Sequence, residues 1–268
     1  AGHKFDLNIY VAITSMNPLR VYYYSKNFDI RFCKVPYDPV NFKDPKSFVC
    51  SEDFIPDFEF PEFNKYFDKF YTAKDAFTSY LVERKHNPSL ITDQIDDSLQ
   101  FIILQKEQKF IDLIAALKGK YGKNHFFELL RFDFIIDASL QLHLLKVNMS
   151  PDMQTDKRSV TSKNFLENVL YNHLNLIGVG SYIEKEHIHD FKDDEENLNC
   201  DVSSLSVKPE VCAQIPCSES CKGVFCELCW DCLSKDIQHD LKIAYLEQMN
   251  KGDMKRVVPL PNVSLKVS

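Results

Sequence analysis

The sequence predicts an α+β chain: an antiparallel sheet with packed helices, followed by a small cysteine-rich C-terminal segment. Three observations carry this. The chain opens on a period-two pattern, with Phe5, Leu7, Ile9, Val11 and Ile13 on one face and Asp6, Asn8, Tyr10 and Ala12 on the other. Stretches with helical spacing follow, and seven of the nine cysteines fall between Cys200 and Cys232. With 268 residues, 44% of them hydrophobic and 13% aromatic, the chain has material for one real core.

The elements follow in order. Met16-Asn17-Pro18 breaks the first strand, Leu19 to Tyr24 forms a second, and Phe28 to Phe32 a third that turns Asp29 and Arg31 to one side. Such short connections predict an antiparallel meander. Residues 36–72 carry Pro36, Pro39, Pro45, Pro56 and Pro61 and read as an irregular loop pinned by aromatic contacts. One long helix is predicted over about Asp93–Leu117, with Ile95, Leu99, Ile102, Ile103, Phe110, Leu113, Ile114 and Leu117 as its stripe and Gly119 as its stop. A hairpin comes next: Phe132 to Ile136, a turn at Asp137-Ala138-Ser139, then Leu140 to Val147. An amphipathic helix over about Thr161–Ile177 ends at Gly178, and a last helix runs through Leu233, Ile237, Leu241, Tyr245 and Met249. The expected organisation is a main domain over 1–182, an acidic linker over 183–199 and the cysteine-rich segment with its terminal helix over 200–268.

Charge narrows the function classes. The net charge is −7, and Glu184–Glu196 alone holds seven acids against two lysines. The remainder is nearly neutral and shows no basic stripe, which disfavours nucleic-acid binding. No apolar run approaches the ~18–20 residues of a spanning helix. The seven glycines form neither GxGxxG nor GxxxxGK[ST], so a Rossmann or P-loop phosphate cradle is excluded. The absence of an initiator Met before Ala1-Gly2-His3 suggests a fragment or a processed product.

Polar residues spaced by two interrupt the apolar strands. Lys4, Asp6 and Asn8 share a face of the first strand, Lys146 and Asn148 share one on the second hairpin arm, and Asp133 lies on the partner arm. Charged groups of this kind are not buried unpaired. They mark a sheet edge in water or a polar cleft.

Several motifs, in order, carry a resemblance: Lys4-Phe5-Asp6-Leu7; Val11-Ala12-Ile13-Thr14-Ser15; Pro18-Leu19-Arg20-Val21-Tyr22; Phe127 through Asp137; Leu144-Leu145-Lys146-Val147-Asn148-Met149-Ser150-Pro151; and Asn168 to Gly180. Together they resemble the tubulin–tyrosine-ligase-like family over about residues 3–180. The resemblance implies an ATP-grasp-type domain, incomplete here because the family's adenine-contacting segment lies upstream of Lys4. It implies ATP and magnesium as cofactors, an acyl-phosphate intermediate, and ligation of an amino acid, glutamate rather than tyrosine, to tubulin or another protein carboxylate. On it, Lys4, Asp6, Arg31 and Lys146 line the nucleotide cleft. Arg31 and Asp6 serve catalysis, and Asp133 and Asn148 match magnesium ligands. It also implies a cytoplasmic, microtubule-associated setting.

Two positions depart from the family pattern. Asn8 stands where the KFDxR motif has arginine, which removes bidentate contacts to phosphate or carboxylate. Lys146 stands where a metal-binding glutamate is expected, and an ammonium supplies no oxygen to magnesium. At ~4 Å and an effective dielectric of about 20, a lysine facing a dication is opposed by on the order of 8 kcal/mol. Weakened ligation follows, or a silent pseudo-ligase that keeps a nucleotide- or partner-binding role.

The cysteines leave three readings open, zinc ligation, disulfides and unpaired thiols. Cys226, Cys229 and Cys232, with Cys221 or Cys217, have zinc-ligand spacing; disulfides in a secretory lumen or outside the cell are the rival. The sequon at Asn262 belongs with the second. Cys33 and Cys50 read as isolated buried thiols, and His187, His189 and Asp190 as solvated residues of the acidic linker.

Overall fold

In the computed structural model of the chain, residues 2–40, 43–50, 54–67, 72–117, 126–155 and 159–179 are described, together with 212, 217, 220–222, 226 and 229–259. The chain divides into two compact units, Ala1–Asn172 with Asp253–Val258, and His173–Gly252 with Pro259–Ser268.

The first unit is built on strand β1 (Phe5–Met16). Its twelve residues are long enough to take three antiparallel partners. β3 (Asp29–Cys33) pairs with Phe5–Asn8 and β2 (Leu19–Tyr24) with Val11–Met16. β5 (Glu128–Ile136) pairs with Leu7–Ile13, overlapping both, and so runs along the opposite edge. The expected meander is therefore corrected. β2 and β3 are two halves of one hairpin arm, both laid against β1 and interrupted at residues 25–28. Helix α2 (Ala73–Glu83) plugs that interruption: Lys74 donates from Nζ to the Ser25 carbonyl at 2.6 Å and from its backbone to Asn27 Oδ1 at 3.1 Å. The Ser25 carbonyl thus finds its partner on the helix, while the Ser25 N–H donates to the Asp253 carbonyl and the Phe28 N–H to Asn27 Oδ1.

The 36–72 region is more regular than its prolines suggested. β4 (Phe54–Pro56) extends the sheet beyond β3, with Pro56 on an edge strand where its missing N–H is harmless. Pro61 starts α1 (Pro61–Phe67), the first-turn position that proline tolerates. Phe32 stacks on Phe60 with ring centroids 4.0 Å apart, and Phe63 and Phe77 close the cluster.

The predicted long helix is two helices, α3 (Ser89–Leu104) and α4 (Glu107–Ala116). Gln105-Lys106 holds neither glycine nor proline, so propensity gives no hint of a break. Packing supplies it. Ile91, Ile95, Leu99 and Ile103 of α3 enter the core under Leu7, Ile9, Val11 and Ile13 of β1, and the turn lets Phe110 reach the same core. Gly119 lies outside the described residues.

The hairpin forms as expected: β5 and β6 (Leu142–Asn148), with Asp137 Oδ1 accepting the backbone N–H of Ser139 and Gln141 in the turn. Helix α5 (Val160–Leu176) ends at Gly178, whose φ of +77° suits a left-handed cap. The last helix, α6 (Lys235–Asn250), is capped by Ser234. β7 (Met254–Val258), expected to belong with the cysteine-rich segment, pairs with β2 in the main sheet.

Within the second unit, Cys212 pairs with Cys229, Cys217 with Cys226 and Cys221 with Cys232. The zinc reading is corrected, because the four proposed ligands are divided among three disulfides and leave no thiolates. Cys33 and Cys50 are likewise not free thiols but a fourth disulfide, joining the end of β3 to the segment before β4. Nothing in their spacing announced this. Cys200, the acidic linker with His187, His189 and Asp190, and Asn262 lie outside the described residues.

Candidate active site

Strand register assembles the site. Directly opposed residues in antiparallel pairs share a face. Asp29 of β3 opposes Asn8 of β1, Asn8 opposes Asp133 of β5, and Asp133 opposes Lys146 of β6. Four strands thus contribute one polar row. Flanking rungs place Arg31 against Asp6, Tyr10 against Arg131, and Arg131 in turn against Asn148. The leucines and isoleucines between these residues point to the opposite face and the core.

Each acid in the row has a partner. Asn8, fully buried, donates from Nδ2 to Asp29 Oδ2 at 3.2 Å and accepts from Arg31 Nη2 at 2.8 Å. Arg31 Nε lies 3.6 Å from Asp29 Oδ2, and its guanidinium sits over the Phe54 ring. Lys4 Nζ donates to Asp6 Oδ1 at 2.7 Å. Asp133 is 6% exposed and is gripped by a guanidinium fork, Arg131 Nε to Oδ1 at 2.6 Å and Nη2 to Oδ2 at 3.0 Å. Asn148 Nδ2 donates to the same carboxylate at 2.9 Å. Lys146 is exposed, and no carboxylate among the described residues closes on it.

Two groups tune this face. Burial works to lower the Arg131 pKa, but the Asp133 hydrogen bonds and charge outweigh it and hold the guanidinium above its ordinary value. Asp57, just past β4, is pushed up to about 7, first by burial and then by the charge of Asp29.

The structure therefore brings together Lys4, Asp6, Arg31, Asp133, Lys146 and Asn148 on one sheet face, and adds two residues that motif reading passed over. Arg131 stands two residues before Asp133, so the same period-two argument that placed Asp133 also reaches Arg131. Asp57 carried no such signal, since it follows an edge strand that the prolines concealed.

A family model described as the tubulin-tyrosine ligase family matches residues 1–188. The chain belongs to this family. Among its curated relatives are the probable tubulin polyglutamylase ttll-15 of Caenorhabditis elegans, the tubulin polyglutamylase ttll6 of Danio rerio and the tubulin monoglutamylase TTLL4 of Mus musculus. The first is 30% identical over 257 residues, 95% of this chain and 49% of that protein. The second is 28% identical over 196 residues, covering 67% and 23%, and the third 28% over 161 residues, covering 58% and 13%. The chain thus spans about half of ttll-15 and less of the others. Alignment over 95% of the chain carries the ttll-15 likeness well into the cysteine-rich segment.

Tubulin-tyrosine ligase family membership brings an ATP-grasp-like fold and implies ATP and magnesium. The two fit this face unequally. Lys4, Arg31 and Lys146 are cations spread over one polar surface, as a polyphosphate requires. Magnesium requires oxygen donors at about 2.0–2.1 Å in a near-octahedral shell. Here Asp133 already holds a guanidinium and an amide, and its neighbour across the strand is an ammonium. The residues present do not fit a magnesium ion.

Proposed function

We propose that the whole protein is a divergent glutamate ligase of protein carboxylates in which the metal-dependent part of the chemistry is weakened. The observation that carries this is the row Asp29, Asn8, Asp133 and Lys146, a ligase-family face with a cation at its end. In this reading Lys4, Arg31 and Lys146 hold the nucleotide phosphates. Asn8 and Asp29 keep the Arg31 guanidinium aimed across the face, and Arg31 with Asp6 attends the reacting carboxylate. The relatives' names supply glutamate as the amino acid and tubulin as the acceptor.

Two observations favour a second reading on separate points. The occupied Asp133 carboxylate supports a silent family member that binds a nucleotide or a partner without ligating. The four disulfides support a lumenal or extracellular acceptor in place of cytoplasmic microtubules, because reducing compartments keep such cysteines as thiols.

Labelled glutamate, ATP and tubulin given to the full-length protein test the proposal against a polyglutamylating relative assayed in parallel. Incorporation is expected at least about tenfold slower than in the relative, a barrier difference of about 1.4 kcal/mol, and abolished by Arg31→Ala. A rate equal to the relative's contradicts the weakening. No incorporation into any acidic polypeptide favours the silent reading.

A further inference from the structure

We infer that Arg131, together with Lys146, stands in for the divalent ion on this face, so that a polyphosphate is held there by the chain's own cations and without metal, and that Arg131 is the residue that decides this. The inference rests on the family reading for the identity of the face, not on any turnover.

Two rungs of the β5–β6 ladder that follow one another on the same face, with the Phe132–Val147 rung between them, make the arrangement. Arg131 opposes Asn148 and Asp133 opposes Lys146, which puts one carboxylate, one amide and two cations on four neighbouring positions. The group carries a net positive charge. The guanidinium fork closes on both oxygens of Asp133 while Asn148 occupies a further lone pair of Oδ2, so three of the roughly four acceptor positions of the carboxylate are filled. An entering dication must first displace the arginine.

Arg131 is not loosely held. It also interacts with Tyr10, whose ring takes an edge contact from Phe165 of α5 with centroids 5.7 Å apart. The arginine is thus fixed between the acid and a packed aromatic pair. Lys146, by contrast, faces solvent at the open end of the row and has no acid among the described residues. A cation whose neighbours are already neutralised is free to take an external anion. The acids across the row do not compete for it, since Asp29 is engaged by Asn8 and Arg31 and Asp6 by Lys4.

The arrangement makes a demand that a simple exchange of one ligand does not. If Lys146 alone had removed the metal, restoring glutamate there would restore it. With Arg131 clamped on Asp133, it does not.

The test uses full-length protein, Mn2+ followed by electron paramagnetic resonance, and inorganic triphosphate in EDTA followed by calorimetry. Wild type is expected to bind triphosphate in EDTA and to show no saturable Mn2+ site below about 1 mM, and Lys146→Ala is expected to weaken triphosphate about tenfold. Lys146→Glu is expected to remain without Mn2+, whereas Arg131→Gln/Lys146→Glu gains at least about tenfold in Mn2+ affinity. Tight Mn2+ binding by wild type overturns the inference, as does triphosphate binding that requires Mn2+. A gain of Mn2+ by Lys146→Glu alone, or no gain in the double variant with native circular dichroism, overturns the role of Arg131. Should the double variant not fold, the wild-type and Lys146→Glu measurements still decide, because residue 146 is exposed. Glutamate transfer enters none of these readouts, so failure of the ligase reading is seen separately.

Discussion

Asn8 is a short side chain in a fully buried position, and its two amide atoms satisfy an acid and an arginine at once. The sequence marked it as a loss, a guanidinium missing from a motif. In the fold it is also a bridge that orients Arg31. Asp57, which feels the charge of Asp29, is the less comfortable residue. Burial, and secondarily Asp29, lifts its carboxyl to about 7, although the Phe58 backbone N–H favours the ionised form. The unfolded carboxyl ionises near pH 4, so between about 4 and 7 the unfolded state binds fewer protons than the folded one. Stability therefore falls as pH rises through that window and stays reduced above it. Asp57→Asn keeps the bond from Phe58 and removes the charge. Urea unfolding is expected to show a gain of about 2–4 kcal/mol at pH 8 and almost none at pH 4. An equal gain at both values counts against the buried charge as the cause. At this scale Asp6, Asn8, Asp133, Lys146 and Asn148 were legible because strand period alone puts them on polar faces. Arg131 was legible by the same rule and overlooked, while the pairing of Asp133 with Arg131 is a matter of rotamer and register that no spacing states.

Among the elements, β1, the β5–β6 hairpin and α5 were readable, since each combines a clean period with a stop: Pro18, the Asp137 turn and Gly178. What failed were relations between elements. Whether β3 follows β2 or returns to β1 depends on residues 25–28 finding partners on α2, a helix the proline-rich reading did not reach. The turn between α3 and α4 is set by what each helix packs on, and its residues are ordinary helix formers. The Cys33–Cys50 bond belongs with these relations. It ties the end of β3 back across 17 residues of sequence, beside Lys4, whose carbonyl accepts the Cys33 N–H at 2.8 Å. Closing a loop of that size contributes about 3 kcal/mol by the chain-entropy argument. Cys33→Ser/Cys50→Ser is expected to lose about 2–4 kcal/mol in denaturant unfolding and, with it, the placement of Lys4 and Arg31. Unchanged stability in a protein whose wild type shows the bond by mass contradicts that role.

Across the whole chain, the main sheet is completed from both ends of the sequence. β7 returns to β2 after the cysteine-rich segment, Ser25 donating to the Asp253 carbonyl at the join, so that segment is inserted between α5 and the last strand of the sheet. The ttll-15 likeness runs well into it, whereas the ttll6 and TTLL4 likenesses cover 67% and 58% of the chain. A ligase-family sheet, a face carrying its own cations and a disulfide-bonded insertion are the features behind our proposal that phosphate chemistry in this family member has moved away from magnesium. ATP binding to the full-length protein, by calorimetry in excess EDTA and again in millimolar magnesium, puts that most directly to the test. The dissociation constant is expected to agree within about threefold between the two conditions; a hundredfold tightening by magnesium, about 2.7 kcal/mol, contradicts the account.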